Sequence, residues 1–371
     1  MVTKKNTNFL PHGLPAWIGS LPLDDHQKAV DLMFEYTPDI PLWIQLPHFK
    51  KEGMIDQFLP GMPGLVVEKE KTFIQTGTDK FDEEMLAFFE EYMAIVEDET
   101  ALADSRFALT DDTAPGFSEF IKCLDALLQP PVAVKGQITG PFTFSTSVCD
   151  QDGKAIFYND QLRDAAIKCI ALKARWQIKQ LKKYKVPVIV FLDEPGLAGF
   201  GSSAFISVSK EEVSACLEEV IEAIHAEDAL AGIHVCANAE WSLILDSTAD
   251  IVSFDAYSFF DKFILYSEQI KGFINKGGIL AWGIVPTGDI ASIEKESVES
   301  LVVLWEKEVA QIEALGIDRS TIVAQSLITP SCGTGALPLE SATRVIGLTR
   351  EVSGRIRERK NYVKKRQGKR I

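Results

Sequence analysis

The chain has 371 residues, 46% of them hydrophobic, and a formal net charge of −15. That is enough apolar material for a large core, and the acidic balance argues against nucleic acid or an anionic membrane as partner. No apolar stretch approaches the roughly 20 residues of a membrane span, and Met1-Val2-Thr3-Lys4-Lys5 leads into no apolar run, so no span and no signal peptide are expected and a cytoplasmic, reducing compartment is predicted.

Eight short apolar runs follow one another along the chain, at 14–19, 41–46, 131–137, 186–192, 231–236, 250–255, 278–285 and 321–327. Most are rich in Val and Ile, as strands buried on both faces should be. Segments with helical spacing separate most of them: 24–36, 82–97, 116–129, 159–184, 209–227, 260–275, 292–315 and 338–357. Asp24-Asp25 and Asp82-Glu83-Glu84 place negative charge at helix starts, and Gly277-Gly278 reads as a helix stop. Strand–helix alternation repeated eight times predicts an α/β fold, a single (β/α)8 barrel over residues 1–371. The stretch 47–115 is too long for one connection and predicts an insertion after the second strand, with helices or a hairpin over the barrel mouth. The basic tail, about 355–371, reads as a solvated helix end.

Active groups of such barrels sit at the carboxyl ends of strands. The polar residues that close the eight runs are Ser20, His48, Thr139, Asp193 with Glu194, His234 with Cys236, Asp255, Thr287 and Cys332. His234 and Cys236 stand two apart on a strand and so share a face. With Cys332 they form an imidazole and two thiolates, a ligand set suited to zinc and leaving one position open for chemistry. Asp255, closing the next strand, is a candidate fourth ligand or a group that orients His234. Thiolate-rich zinc suits alkyl transfer to a substrate sulfur better than hydrolysis. The other cysteines read as inert: Cys123, Cys169 and Cys216 in helical patterns, Cys149 in a polar loop. Trp17, Trp43 and Trp282 read as packing, while Trp241 and Tyr257, just past strand ends, are expected at the substrate mouth.

Four segments carry a family likeness. Ile18-Gly19-Ser20-Leu21-Pro22, Asp193-Glu194-Pro195-Gly196-Leu197, His234-Val235-Cys236 and Cys332-Gly333 resemble, in order, the signature turns of the catalytic barrel of cobalamin-independent methionine synthase, within the uroporphyrinogen decarboxylase-like superfamily. Gly136 to Thr143 resembles a further loop of it. The resemblance implies His234, Cys236 and Cys332 as zinc ligands, with Asp255 where the family has glutamate. It implies Ser20 and the backbone of Ile18 and Gly19 for the substrate carboxylate, and Asp193 for its ammonium. Asp56 falls where a second acid would help hold the amino group. The family's additional N-terminal barrel has no counterpart, so the implied enzyme is a core methyltransferase. It would move a methyl group to the thiol of homocysteine, giving methionine, with methylcobalamin or a corrinoid protein as donor. The nearest alternatives are a methylcobalamin:coenzyme M-type thiol methyltransferase, for which Lys135 in the third strand would be the pertinent cation, and a uroporphyrinogen decarboxylase-like enzyme.

Overall fold

The computed structural model describes residues 9–68 and 71–367, the side chains of Ala204 and of 359–367 excepted. The residues read for a signal peptide and the last four of the basic tail lie outside that set. Nine strands are present among the described residues: β1 (Leu14–Pro15), β2 (Leu65–Val67), β3 (Thr72–Ile74), β4 (Val134–Thr139), β5 (Val188–Asp193), β6 (Leu230–Val235), β7 (Ile251–Phe254), β8 (Ile279–Val285) and β9 (Ser326–Pro330). Seven form one curled parallel sheet in the order β1-β9-β8-β7-β6-β5-β4, and β2 and β3 pair as a separate antiparallel hairpin. Helices connect the parallel strands, as parallel pairing requires.

The sheet stops short of the closed eight-stranded barrel expected. The run 41–46 forms no strand; it touches its neighbours through two single parallel bridges, Leu42 to Lys135 and Ser20 to Gln45. Proline is the physical reason. Pro41 and Pro47 bound the run and Pro15 ends β1, and proline cannot donate to a ladder. Side-chain amides fill part of the gap: Gln137 Nε2 donates to Trp43 O at 2.8 Å, and Gln177 both accepts from Trp43 Nε1 at 3.0 Å and donates to Gln137 O at 3.1 Å.

Alternation along each strand separates two faces. Register aligns Asp193 with His234, His234 with Ser253, and Ser253 with Ala281. One step toward the amino ends, Phe191 and Ile251 occupy the same face in an apolar plug with Ile189, Leu230 and Ile279. Gly232 is needed there, since a Cβ would meet the Phe191 ring at 2.4 Å. The inner face is thus apolar below and polar at its carboxyl end. The outer face packs on the helices, with Trp43, Trp241 and Trp282 fully buried.

Other expectations shift by a few residues. The eighth run is divided: Arg319–Ala324 is helical and the strand is Ser326–Pro330. The insertion contains 3-10 turns at Lys50–Glu52 and Asp56–Phe58, the β2/β3 hairpin and a helix at Asp79–Glu97 capped by Thr78. The final helix, Leu339–Gln367, runs beyond the expected 357. Cys169 and Cys216 are buried as expected, whereas Cys123 is half-buried and accepts from Gln27 Nε2 at 3.6 Å. No helix among the described residues is long and apolar enough to cross a membrane.

One buried acid gives the fold a pH dependence. Glu308, in the helix Val298–Glu313, is 4% exposed and its Oε2 has no hydrogen-bond partner. Burial, helped by the charge of Asp255, pushes its carboxyl up to about 9. The folded chain therefore keeps a proton that the unfolded chain releases near the ordinary glutamate value, and stability falls as pH rises between the two. Glu308→Gln, which cannot ionise, is expected to stabilise the protein by roughly 5 kcal/mol at pH 8 and by almost nothing at pH 4. Urea midpoints of both proteins at the two pH values check this; an equal difference at each would contradict it.

Candidate metal centre

β6 ends by turning His234 into the sheet's interior, and Cys236 follows two residues on. Cys332 arrives from the loop after β9. One donor atom from each of these three residues lies within 4.8 Å of the other two, and no further acidic, cysteine or histidine residue joins this group among those described. The imidazole is oriented for this. Its Nδ1 meets Ser253 Oγ at 2.9 Å across the β6/β7 register. Its Nε2 is buried with no hydrogen-bond partner. A buried ring nitrogen without a partner is costly, and two sulfurs beside it are the donor set that zinc prefers. On that observation the residues fit a zinc ion.

The sulfurs are not equivalent. The Cys332 thiol, and then the His234 ring, hold the Cys236 thiol well below its ordinary range. The Cys236 thiolate in turn, with burial, pushes Cys332 strongly up.

A cavity of about 280 Å³ opens over this group, with Ser20, Glu52 and Asp193 on its wall. Asp193 is 6% exposed and its Oδ1 has no hydrogen-bond partner. Burial pushes its carboxyl up to about 6, against the pull of His234 and Lys135. The neighbouring Glu194 has a different task. It accepts from Phe142 N at 2.9 Å, Thr143 N at 2.8 Å and Thr143 Oγ1 at 2.5 Å, fixing the start of the helix Pro141–Ser147. Burial raises its carboxyl to about 7, with the Thr143 hydroxyl bond opposing it.

Opposite Asp193, the turn after β1 packs against the Cys332 loop. Gly335 N donates to Ser20 Oγ at 3.2 Å and Thr334 N to Ser20 O at 3.1 Å. A Cβ at Gly333 would meet Ser20 Oγ at 2.3 Å, so glycine there lets the two segments close. Ile18, Gly19 and Ser20 all lie on the cavity wall.

Three expectations are corrected. Asp255 does not join the three donors; it caps the helix Ala256–Phe263 by accepting from Ser258 N at 2.8 Å. Asp56 is half-buried in its own turn and off the cavity wall, which instead carries Glu52. Glu52 is 3% exposed, accepts from Leu46 N at 3.1 Å and pairs with His26 Nε2 at 2.8 Å. Within Lys50-Lys51-Glu52-Gly53 it reads as a solvated turn, and nothing in the local pattern marks it as buried. Trp241 is not at the mouth: its ring packs against Phe254 and Phe263, and Tyr257 bonds Glu296 at 3.0 Å. His48 is exposed, edge-on to Phe49.

The fold resembles that of a methyltransferase from Methanosarcina mazei. The match has 16% identity and a TM-score of 0.42 and covers 64% of this chain. The chain spans about 64% of the length of that structure. No protein-family model and no curated protein matches the sequence.

Proposed function

We propose that the chain is a zinc-dependent methyltransferase of the methionine synthase type, acting on the thiol of homocysteine, with methylcobalamin or a methylated corrinoid protein as donor. On this reading residues 1–371 are one catalytic unit, and the run 41–46 stands in for the eighth strand of the barrel. The observation that carries it is the partnerless Nε2 of His234 beside two sulfurs, on the floor of a cavity walled by acids.

His234, Cys236 and Cys332 would hold the zinc ion, which when bound would keep a nearby thiol deprotonated around neutral pH. The chain's own groups do the positioning. Ser253 fixes the His234 ring. Asp193 and Glu52 present carboxylates to an ammonium group, and Ser20 with the backbone of Ile18 and Gly19 faces the substrate carboxylate. Fixing both ends leaves the sulfur one direction of approach, which is where orientation lowers the barrier. Sulfur then bonds to the methyl carbon, while the carbon–donor bond breaks with its electron pair left on the donor. The thiol proton goes to solvent.

An amino-acid thiol fits better than a sulfonate thiol or a tetrapyrrole carrying several carboxylates. A sulfonate thiol has no ammonium for Asp193 and Glu52 on the wall to meet, and no lysine or arginine is among the wall residues to meet the several carboxylates of a tetrapyrrole.

The test supplies zinc-loaded protein and homocysteine with methylcobalamin, a methylated corrinoid protein or methyl-folate in separate reactions. Methionine is expected with the first two. Turnover with folate alone would overturn the donor assignment, and turnover with none of the three would overturn the reaction.

A further inference from the structure

Lys135 aligns with Ile189, four residues before Asp193, and is 1% exposed. Its Nζ donates to Ile18 O at 2.6 Å, approaches Gln137 Oε1 at 3.5 Å and sits 4.5 Å from the centre of the Phe191 ring. None of these contacts is an anion. Burying an ammonium with no close ion-pair partner is costly, and a neutral donor would tether Ile18 O equally well. Burial accordingly pulls the lysine down to about 8, while the charge of Asp193 resists. The charge itself needs a use.

The Ile18 carbonyl and the Gly19 N–H belong to the same peptide group. A hydrogen bond accepted by the carbonyl polarises that peptide and strengthens its N–H as a donor. Gly19 lies on the cavity wall, wedged where a Cβ would come within 2.9 Å of Gln45 Oε1. The wall around it carries two carboxylates and no cation, a field hostile to the carboxylate of an incoming amino acid. We propose that Lys135 is a positioning residue for that carboxylate, acting through the Ile18–Gly19 peptide and supplying the positive charge that the wall lacks. The inference rests on the amino-acid-thiol reading and assigns the discrimination between carboxylated and uncarboxylated thiols to one buried side chain.

The probe pair is homocysteine and 3-aminopropane-1-thiol, which differ only by the carboxylate. Their affinities for cobalt-substituted protein are read from the thiolate-to-cobalt absorption band, with no methyl donor present. The unmodified protein should prefer homocysteine. Lys135→Met and Lys135→Gln should lose about tenfold of that preference through weaker homocysteine binding, while Lys135→Arg, which keeps the charge, should retain it. A merely structural lysine would weaken both thiols together and leave their ratio unchanged. A preference that survives in the neutral variants, or is lost as fully in Lys135→Arg, overturns the role of Lys135 and leaves the functional reading standing. An unmodified protein that binds both thiols equally removes the carboxylate anchor and the inference with it. Either neutral variant decides alone, so the apolar Met and the polar Gln give two independent routes to a folded protein without the charge.

Discussion

Cys236→Ala and Cys332→Ala are each expected to remove bound zinc and methyl transfer together, with the fold intact. Both cysteines stand past the ends of strands and are only half-buried, so deleting a sulfur opens no void in the apolar plug. The substitution takes away one of three donors gathered within 4.8 Å. Metal affinity at such sites follows the donor count, and weakening even a group that only orients a ligand costs roughly 10–100-fold. Loss of a donor should exceed that, taking zinc from about one ion per chain to near none at micromolar concentration. Cys149→Ala, which removes a thiol away from the cavity, is the control and should keep full metal content. Metal analysis, circular dichroism and methyl-transfer rate on the same preparations check the three statements. Full zinc retention in both variants would end the metal assignment.

The three donors are legible in the sequence because strand geometry is strict. Two residues apart on a strand means one face, so His234 and Cys236 have to point together, and the positions closing parallel strands gather at one rim. Asp193 is legible on the same ground. The misplaced residues belong to segments without such a rule. Asp255 satisfies the same rim logic, yet the helix beginning at Ala256 has first use of its carboxylate, because an N-cap acid satisfies otherwise orphaned N–H groups. Glu52 and Asp56 lie in an irregular insertion with no period to read. Which acid turns inward there is decided by the Leu46 amide and by His26, both distant from any local signal. The division of 321–327 has a plainer cause. Thr321-Ile322-Val323-Ala324 and Ser326-Leu327-Ile328-Thr329 are both short apolar runs, and over four residues a buried helical turn and a buried strand look alike. Barrel closure is misread at the prolines, where apolar character suggests a ladder that proline cannot complete.

Asp193→Asn is expected to raise the KM for homocysteine by about 10²–10³-fold, the range for deleting one member of a buried charge pair, while leaving zinc content unchanged. The asparagine has the same shape, so the β5 end and its register with Thr139 and His234 are preserved. It cannot supply the negative charge that the unpartnered Oδ1 now offers to the cavity. That carboxylate is held buried at a cost, since burial raises its affinity for a proton, and the charges of His234 and Lys135 offset only part of it. Thermal stability should accordingly stay level or rise in the variant, whereas cutting a structural hydrogen bond would lower it. The decisive comparison is a thiol of equal length with no amino group. Its binding to the metal-loaded protein should be indifferent to the substitution, because it has nothing to present to Asp193. Equal weakening of both thiols would make Asp193 a general support of the site, and no weakening of either would leave the ammonium to Glu52 alone.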